Sequence, residues 1–221
     1  MPSAMPNPWL DEGGQSDLPK GQQFLPFKRR YLKVHSPYAD ETSSYQVVQA
    51  MVAAPKAGWV SPGVEWISHV DQFPLDVDWG IRFTVTGADE VKRRNKKAET
   101  ALEEQYKHQE GTATITGGGS DLGEIAETLA AYHASLNRSD KEVEVQATVL
   151  FAVGADTADL AKAKGRFVAD EYKRADFLLE APLGGQEELW WAMIPGTPTG
   201  RIVRELTQIT TGREFATGGP L

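Results

Sequence analysis

The chain has 221 residues, 40% of them hydrophobic, which suffices for one large globular domain or for one and a half small ones. It contains no cysteine, which excludes disulfides, thiolate zinc sites, cysteine nucleophiles and iron–sulfur centres. Its 31 acidic and 23 basic residues give a net charge of −8, so contact with nucleic acid or anionic membrane has to be confined to a local patch.

The N-terminal region is predicted to be an extended arm over residues 1–44, because it contains 6 of the 13 prolines and few apolar residues at regular spacing. Within it, FLPFKRRYLKV mixes aromatic and basic residues, which favours either an arm laid across its own domain or an anchor on a partner or membrane surface. The N-terminus lacks the charged and apolar regions of a signal peptide, and no stretch approaches the ~20 apolar residues of a membrane span. We therefore expect a cytoplasmic chain.

Two strands with a short helix between them follow the arm. The run YQVVQAMVA, residues 45–53, is rich in β-branched and apolar residues and ends before Pro55, which favours a mostly buried strand. Residues 62–70 indicate a short helix that covers the sheet. In DWGIRFTVTG, residues 78–87, apolar side chains occupy every second position, the period of a strand with one buried face.

A helical hairpin is predicted over about 88–137. Apolar residues recur at helical spacing from Ala88 to Tyr106 and again from Leu122 to Leu136, on either side of the Gly/Thr-rich segment GTATITGGG. Helices of roughly 20 residues are about 30 Å long, so such a hairpin would project from a small domain.

The C-terminal half is predicted to contain two more strands and three helices. EVEVQATVLFAV, residues 142–153, is the clearest strand, and DFLLEA, residues 176–181, is a shorter one. Between them, Asp156 is the predicted N-cap of a helix. The residues predicted to face inward on that helix are Leu160, Lys164, Phe167, Val168 and Tyr172. QEELWWAMI and RIVRELTQI are predicted to form the last two helices.

The predicted order is strand, helix, strand, helical hairpin, strand, helix, strand. We therefore predict an α+β fold: a ferredoxin-like βαββαβ sheet with a long helical hairpin inserted between the second and third strands, plus the extended N-terminal arm. The α+β domain is predicted over 45–198, and a C-terminal helix and linker over 199–221. The Gly/Pro-rich string REFATGGPL is typical of a linker toward a further domain.

No residue pattern identifies a catalytic, cofactor-binding or metal-binding site. Neither ITGGGSDLG nor PGTPTGR has the Gly-Lys-Ser/Thr ending of a nucleotide-binding loop, and both favour plain turns, with Arg201 as an alternative anion ligand at a helix start. No two histidines have the i, i+3 or i, i+4 spacing of metal ligands on one helix face. The histidines are His35, His69, His108 and His133. No serine or carboxylate is paired with a base.

The basic residues are concentrated in one segment, KRRNKK. Its five cations are Lys92, Arg93, Arg94, Lys96 and Lys97. Cations near a helix start meet an unfavourable helix dipole, so a partner that offsets this cost is one hypothesis: nucleic acid, anionic lipid headgroups or an acidic subunit. The alternative is a solvated helix face, with its charges balanced by Glu99, Glu103 and Glu104 nearby.

Taken together, residues 75–221 resemble the N-terminal part of the VirB-type ATPases of type IV secretion and conjugation systems, in the divergent form of Gram-positive bacteria. The resemblance depends on PLDVDWGIRFTVTG, the charged hairpin, EVEVQATVLFAV, DFLLEAPLGGQEELWWAMIPG and REFATGGPL. In that family an α+β domain precedes a RecA-like motor domain. The Walker A and B motifs are absent from this sequence, and the resemblance implies that they would lie beyond Leu221.

The resemblance implies a non-catalytic assembly and interaction domain that couples the motor to membrane-channel subunits, peripheral to the inner face of the cell membrane. It implies no cofactor for these residues, ATP and Mg for the motor domain, and self-association through the full-length protein. Two alternatives remain open. One is a stand-alone nucleic-acid-binding accessory protein that uses the basic segment, and the other is a small-molecule enzyme with scattered site residues.

Overall fold

The computed structural model describes residues 9–21, 30–35, 43–55, 67–96, 100, 130–136, 138 and 142–216. Its strands are β1 (Trp9–Glu12), β2 (Leu32–His35), β3 (Ser43–Ala53), β4 (Asp78–Gly87), β5 (Val143–Ala155), β6 (Leu178–Glu180) and β7 (Gln208–Thr211). Its helices are α1 (88–96), α2 (130–136), α3 (Ala158–Arg174), α4 (Gln186–Ala192), α5 (Arg201–Glu205) and α6 (Gly212–Ala216). Short 3-10 helices occupy Gln15–Asp17 and Ser68–Gln72.

The strands belong to one seven-stranded sheet in the order β1-β2-β3-β5-β4, with β6 paired to β3 and β7 paired to β5. Strand β3 is central, and β5 pairs antiparallel with one of its edges over Tyr45–Ala50. Two short strands share its other edge, because β2 pairs antiparallel with Ser43–Gln46 and β6 with residues from Ala50 to Ala53. This divided edge leaves the backbone of Val48 without a strand neighbour on that side.

The chain divides into two compact units, described here separately. The first comprises 1–83, 147–208 and 217–221, and the second comprises 84–146 and 209–216. In the first unit, one cluster of buried apolar side chains joins β3 and β5 to α4 and α5. Its members are Val48, Ala50, Leu150, Ala152, Leu189, Ala192 and Val203. The other face of these two strands meets α3, where the Phe151 and Tyr172 rings lie 4.7 Å apart.

Helix α3 forms where it was predicted, and Val168 and Tyr172, two of the residues predicted to face inward, are buried. Its N-cap is Thr157, whose Oγ1 accepts a hydrogen bond from Leu160 N at 3.3 Å, so the predicted cap at Asp156 is wrong. The buried residues are Ala161, Gly165, Val168 and Tyr172, whereas Leu160 is exposed. The reason is close approach: a Cβ at Gly165 would lie only 3.1 Å from Val47 Cγ1, so small residues line this contact.

The four predicted strands are present as β3, β4, β5 and β6, but the predicted ferredoxin-like sheet with a long inserted helical hairpin is wrong. The sheet has seven strands, because the region predicted as an extended arm contributes β1 and β2. These strands have only four residues each, too few to show a clear period among prolines. The last predicted helix ends at Glu205, and the β-branched residues after it form β7.

The helices predicted between β3 and β5 also differ. For the helix predicted over 62–70, the described residues show a 3-10 helix at Ser68–Gln72. Of the predicted hairpin over 88–137, residues 88–96, 100 and 130–136 are helical, and the rest lies outside the described residues. Within the described part of the chain, no helix has the length and apolarity needed to cross a membrane.

Candidate functional site

The predicted basic segment lies on helix α1, in the second unit. The inner side of the helix carries Ala88 and Val91, which are 7% and 0% exposed. Three of the five predicted cations are exposed and form no ion pair within the described residues: Lys92, Arg93 and Lys96. Lys97 lies outside the described residues. The structure therefore provides an exposed cationic side of α1, defined by the first three of these cations.

Arg94 differs from its neighbours because it binds a buried carboxylate. Its Nη2 donates to Glu144 Oε2 at 2.6 Å, and the Glu144 side chain is 0% exposed whereas that of Arg94 is 49% exposed. The hydrogen bond to Glu144 raises the pKa of Arg94, although burial opposes this change. Arg94 therefore connects α1 to β5. Because its charge is paired with that of Glu144, we do not count it among the cations on the exposed side of α1.

Glu144 is the centre of a polar network that joins α1, α2 and β5. Besides Arg94, Tyr132 Oη donates to Oε2 at 2.5 Å, and Gln146 Nε2 donates to Oε1 at 2.7 Å. Burial alone would raise the pKa of Glu144, but these hydrogen bonds outweigh it and the pKa is lowered. A general acid at neutral pH needs a raised pKa. Glu144 is therefore an ionised structural anchor.

The histidines do not come together. His133 has its Nε2 3.1 Å from Asn95 Nδ2 and is partly exposed. His35 lies in the first unit, where its Nδ1 is 2.8 Å from Ser43 Oγ. His108 lies outside the described residues. Among the residues that the structure describes, no group of three or more His, Asp or Glu side chains could hold a metal ion.

Arg201, predicted as an alternative anion ligand at a helix start, is the first residue of α5. Its Nε donates to Glu205 Oε1 at 2.7 Å, and both side chains are exposed. The charge of Arg201 is thus paired within its own helix. The Gly-rich segment GGGS lies outside the described residues.

An exposed apolar face on β4 was missed by the sequence analysis. Trp79 and Phe83 are 46% and 59% exposed, and Ile81 between them is partly buried. The alternation of these residues was predicted correctly, but the prediction that they form a buried face is wrong. We call these three residues the β4 surface. Strand β4 ends the sheet and, among the described strands, pairs with β5 alone.

The opposite side of β4 is fixed by Arg82, whose guanidinium binds the last residue of helix α4 and the chain that follows it. Nε donates to Ala192 O at 2.6 Å, Nη1 to Thr197 O at 2.7 Å and Nη2 to Ile194 O at 3.1 Å. Carbonyls at a helix C-terminus lack intrahelical donors, so the arginine satisfies them. The one cation of β4 is therefore turned inward, and the β4 surface carries no positive charge.

Comparison with known proteins identifies no relative: no family model matches the chain, and no curated protein matches it. The interpretation of its function depends on the exposed cationic side of α1 and on the β4 surface.

Proposed function

We propose that the chain is a non-catalytic assembly and interaction domain of a type IV secretion or conjugation ATPase, which couples the motor to membrane-channel subunits at the cytoplasmic face of the cell membrane. The resemblance of residues 75–221 to the N-terminal part of these ATPases supports the proposal. The observation that carries it is the β4 surface. Exposed aromatic side chains at the end of a sheet are typical of protein-binding surfaces. ATP and Mg belong to the motor domain, and no residue of this chain is assigned to them.

The edge of β4 is suited to a partner strand. Proteins commonly protect such edges with Lys, Pro or charged side chains, because unpaired backbone groups there attract other strands. The sequence DWGIRFTVTG contains neither Lys nor Pro, and Arg82 is turned toward α4. A partner strand can therefore add to the sheet by main-chain hydrogen bonds while its side chains contact Trp79 and Phe83.

Replacing Phe83 by Lys is expected to weaken binding to the channel subunits at least ten-fold, because it places an unpaired cation in the apolar part of the interface. The measurement is a calorimetric titration of the purified chain against purified channel subunits of a type IV secretion or conjugation system from the same organism. Leu183→Lys is the matched control, since Leu183 is 58% exposed and Phe83 is 59% exposed. Equal affinities for the two variants would contradict the role of β4.

The assignment to a secretion ATPase has a separate test in the coding sequence. We expect the reading frame to continue beyond Leu221 into a domain with a Gly-Lys-Ser/Thr loop. A stop codon at that point would reject the ATPase assignment and favour an accessory protein.

A second candidate function is nucleic-acid binding by the exposed cationic side of α1. It is favoured by the absence of ion pairs for Lys92, Arg93 and Lys96 within the described residues. Binding of a fluorescein-labelled DNA is then expected at low salt, and Lys92→Glu should weaken it and reduce the salt slope by about 1. Lys173→Glu makes the same charge change on α3 and should have little effect. No binding at low salt would reject this candidate.

A further inference from the structure

We infer that β1 is a detachable strand, which opens away from β2 while β2, β3 and β5 stay paired. β1 lies at one end of the sheet and, among the described strands, pairs with β2 alone. The chain then has two states, which differ in whether the edge of β2 is covered. The inference does not depend on the proposed function.

The segment from Trp9 to Asp17, which contains β1 and the 3-10 helix after it, buries no large apolar side chain completely. Trp9 is 57% exposed, and Leu10 is only partly buried. The residues that the segment does bury are Asp11, Gly13 and Gly14. In contrast, β2 buries Leu32 and Val34, which are 0% and 8% exposed. Because apolar burial is the main term that stabilises a folded element, we expect β1 to open more easily than β2.

The side-chain contacts that hold this segment in place are mostly polar. Glu12 Oε1 accepts a hydrogen bond from Gln186 N at 2.8 Å. Asp17 accepts from Lys33 Nζ at 2.6 Å and from Tyr45 Oη at 3.1 Å, and both of these bonds are exposed. Since solvent can replace exposed hydrogen bonds, the contacts of Asp17 oppose opening only weakly.

The aromatic contact of β1 lies beside an unsatisfied polar atom. Trp9 stacks on the ring of His35, with 4.4 Å between the ring centroids. Nε2 of His35 is buried and has no hydrogen-bond partner within the part of the chain that the structure describes. A buried polar atom without a partner costs free energy, so the closed position of β1 is less favourable than the stacking alone would make it.

The backbone of β2 provides a marker for the opening, because alternate residues pair with different strands. Gly13 N donates to Tyr31 O at 2.8 Å, at the end of the ladder between β1 and β2. Every second pair of an antiparallel ladder exchanges hydrogen bonds, so Lys33 and His35 direct their N–H groups toward β1. The two residues that direct theirs toward β3 are Leu32 and Val34. Opening of β1 therefore exposes the first two amides and leaves the other two bonded.

Hydrogen exchange of the intact chain, followed residue by residue by NMR, tests the inference. After correction for intrinsic exchange rates, the amides of Lys33 and His35 should exchange at least about ten-fold faster than those of Leu32 and Val34. The comparison is internal, because all four amides belong to one strand and differ only in the strand to which they are bonded.

A substitution in β1 should increase the opening. Glu12→Ala removes the carboxylate that accepts from Gln186 N, and the amides of Lys33 and His35 should then exchange several-fold faster. Glu180→Ala is the matched control, since it makes the same change at an exposed position of another strand, β6. It should leave the exchange of these two amides unchanged.

A disulfide between β1 and β2 gives the converse test. Leu10 and Val34 lie opposite each other and form a pair without backbone hydrogen bonds, for which the Cα atoms are about 4.5 Å apart, within the range of a disulfide. The chain has no other cysteine, so Leu10→Cys/Val34→Cys forms a single bridge. In the oxidised variant, the amides of Lys33 and His35 should exchange as slowly as that of Leu32, and reduction should restore their faster exchange.

The inference is overturned if the four β2 amides of the unsubstituted chain exchange at one rate, because β1 and β2 then open together. It is equally overturned if the oxidised disulfide leaves the exchange of Lys33 and His35 unchanged. Should the disulfide variant not fold, equal exchange of these amides in Glu12→Ala and Glu180→Ala overturns the inference in its place.

Discussion

Replacing Gln186 by Leu is expected to lower the free energy of unfolding by about 2–6 kcal/mol. Gln186 is 0% exposed, and its side-chain amide occupies the gap in the edge of β3 between β2 and β6. Its Oε1 accepts from Val48 N at 2.9 Å, and its Nε2 donates to Val48 O at 2.9 Å. Leucine would leave both backbone groups buried without partners, at about 1–3 kcal/mol each. Urea denaturation followed by tryptophan fluorescence measures the change.

The matched control for this substitution is Gln208→Leu. Gln208 is partly buried, and its Nε2 donates to Leu206 O at 3.3 Å. Because solvent can replace that bond, we expect a loss below about 1 kcal/mol. Equal losses for the two variants would show that the amide of Gln186 does not complete the edge of β3.

Replacing Glu144 by Gln is expected to destabilise the chain by about 1–3 kcal/mol at neutral pH, because Arg94 and Tyr132 lose the carboxylate that accepts their hydrogen bonds. The control is Glu205→Gln, which removes the exposed ion pair with Arg201. Exposed ion pairs contribute little, so its effect should be much smaller than that of Glu144→Gln. A similar small effect for both variants would show that burial of Glu144 does not strengthen its interactions.

The effect of Glu144→Gln should depend on pH in a definite direction. The pKa of Glu144 in the folded chain lies below its usual value of 4.5. A carboxyl group with a lowered pKa contributes stability above its unfolded pKa and loses it as pH falls through its folded pKa. The stability difference between the unsubstituted chain and Glu144→Gln should therefore be full at neutral pH and shrink below about 4.5. Urea denaturation between neutral pH and about pH 3 measures it, and a difference that grows with acidity would contradict the lowered pKa.

Strands with a long regular pattern could be predicted from the sequence, and short ones could not. The alternation around Ile81 places β4 at Asp78–Gly87, the range that the structure shows. The same alternation was interpreted as a buried face, although Trp79 and Phe83 are exposed. Periodicity gives the two faces of a strand, but which face is covered depends on the elements that pack there. The four-residue strands β1 and β2 carry too little pattern to stand out.

The structural roles of polar residues could not be predicted from the sequence for a related reason. Gln186 is the first residue of an apparently amphipathic helix, and no local pattern shows that its amide reaches Val48. Arg94 has the same sequence context as Lys92 and Arg93, and only the distant Glu144 distinguishes it from them. The basic segment could thus be found from composition, but the division of its cations between exposed ones and one that pairs with a buried carboxylate could not.

Gln186 also fixes how β3 can align. In a strand, successive residues direct their backbone groups to opposite edges. A slip of β3 by one position would present to the amide a residue whose N–H and C=O point toward β5. The amide would then lose both backbone partners, so one side chain opposes a one-residue slip of the central strand.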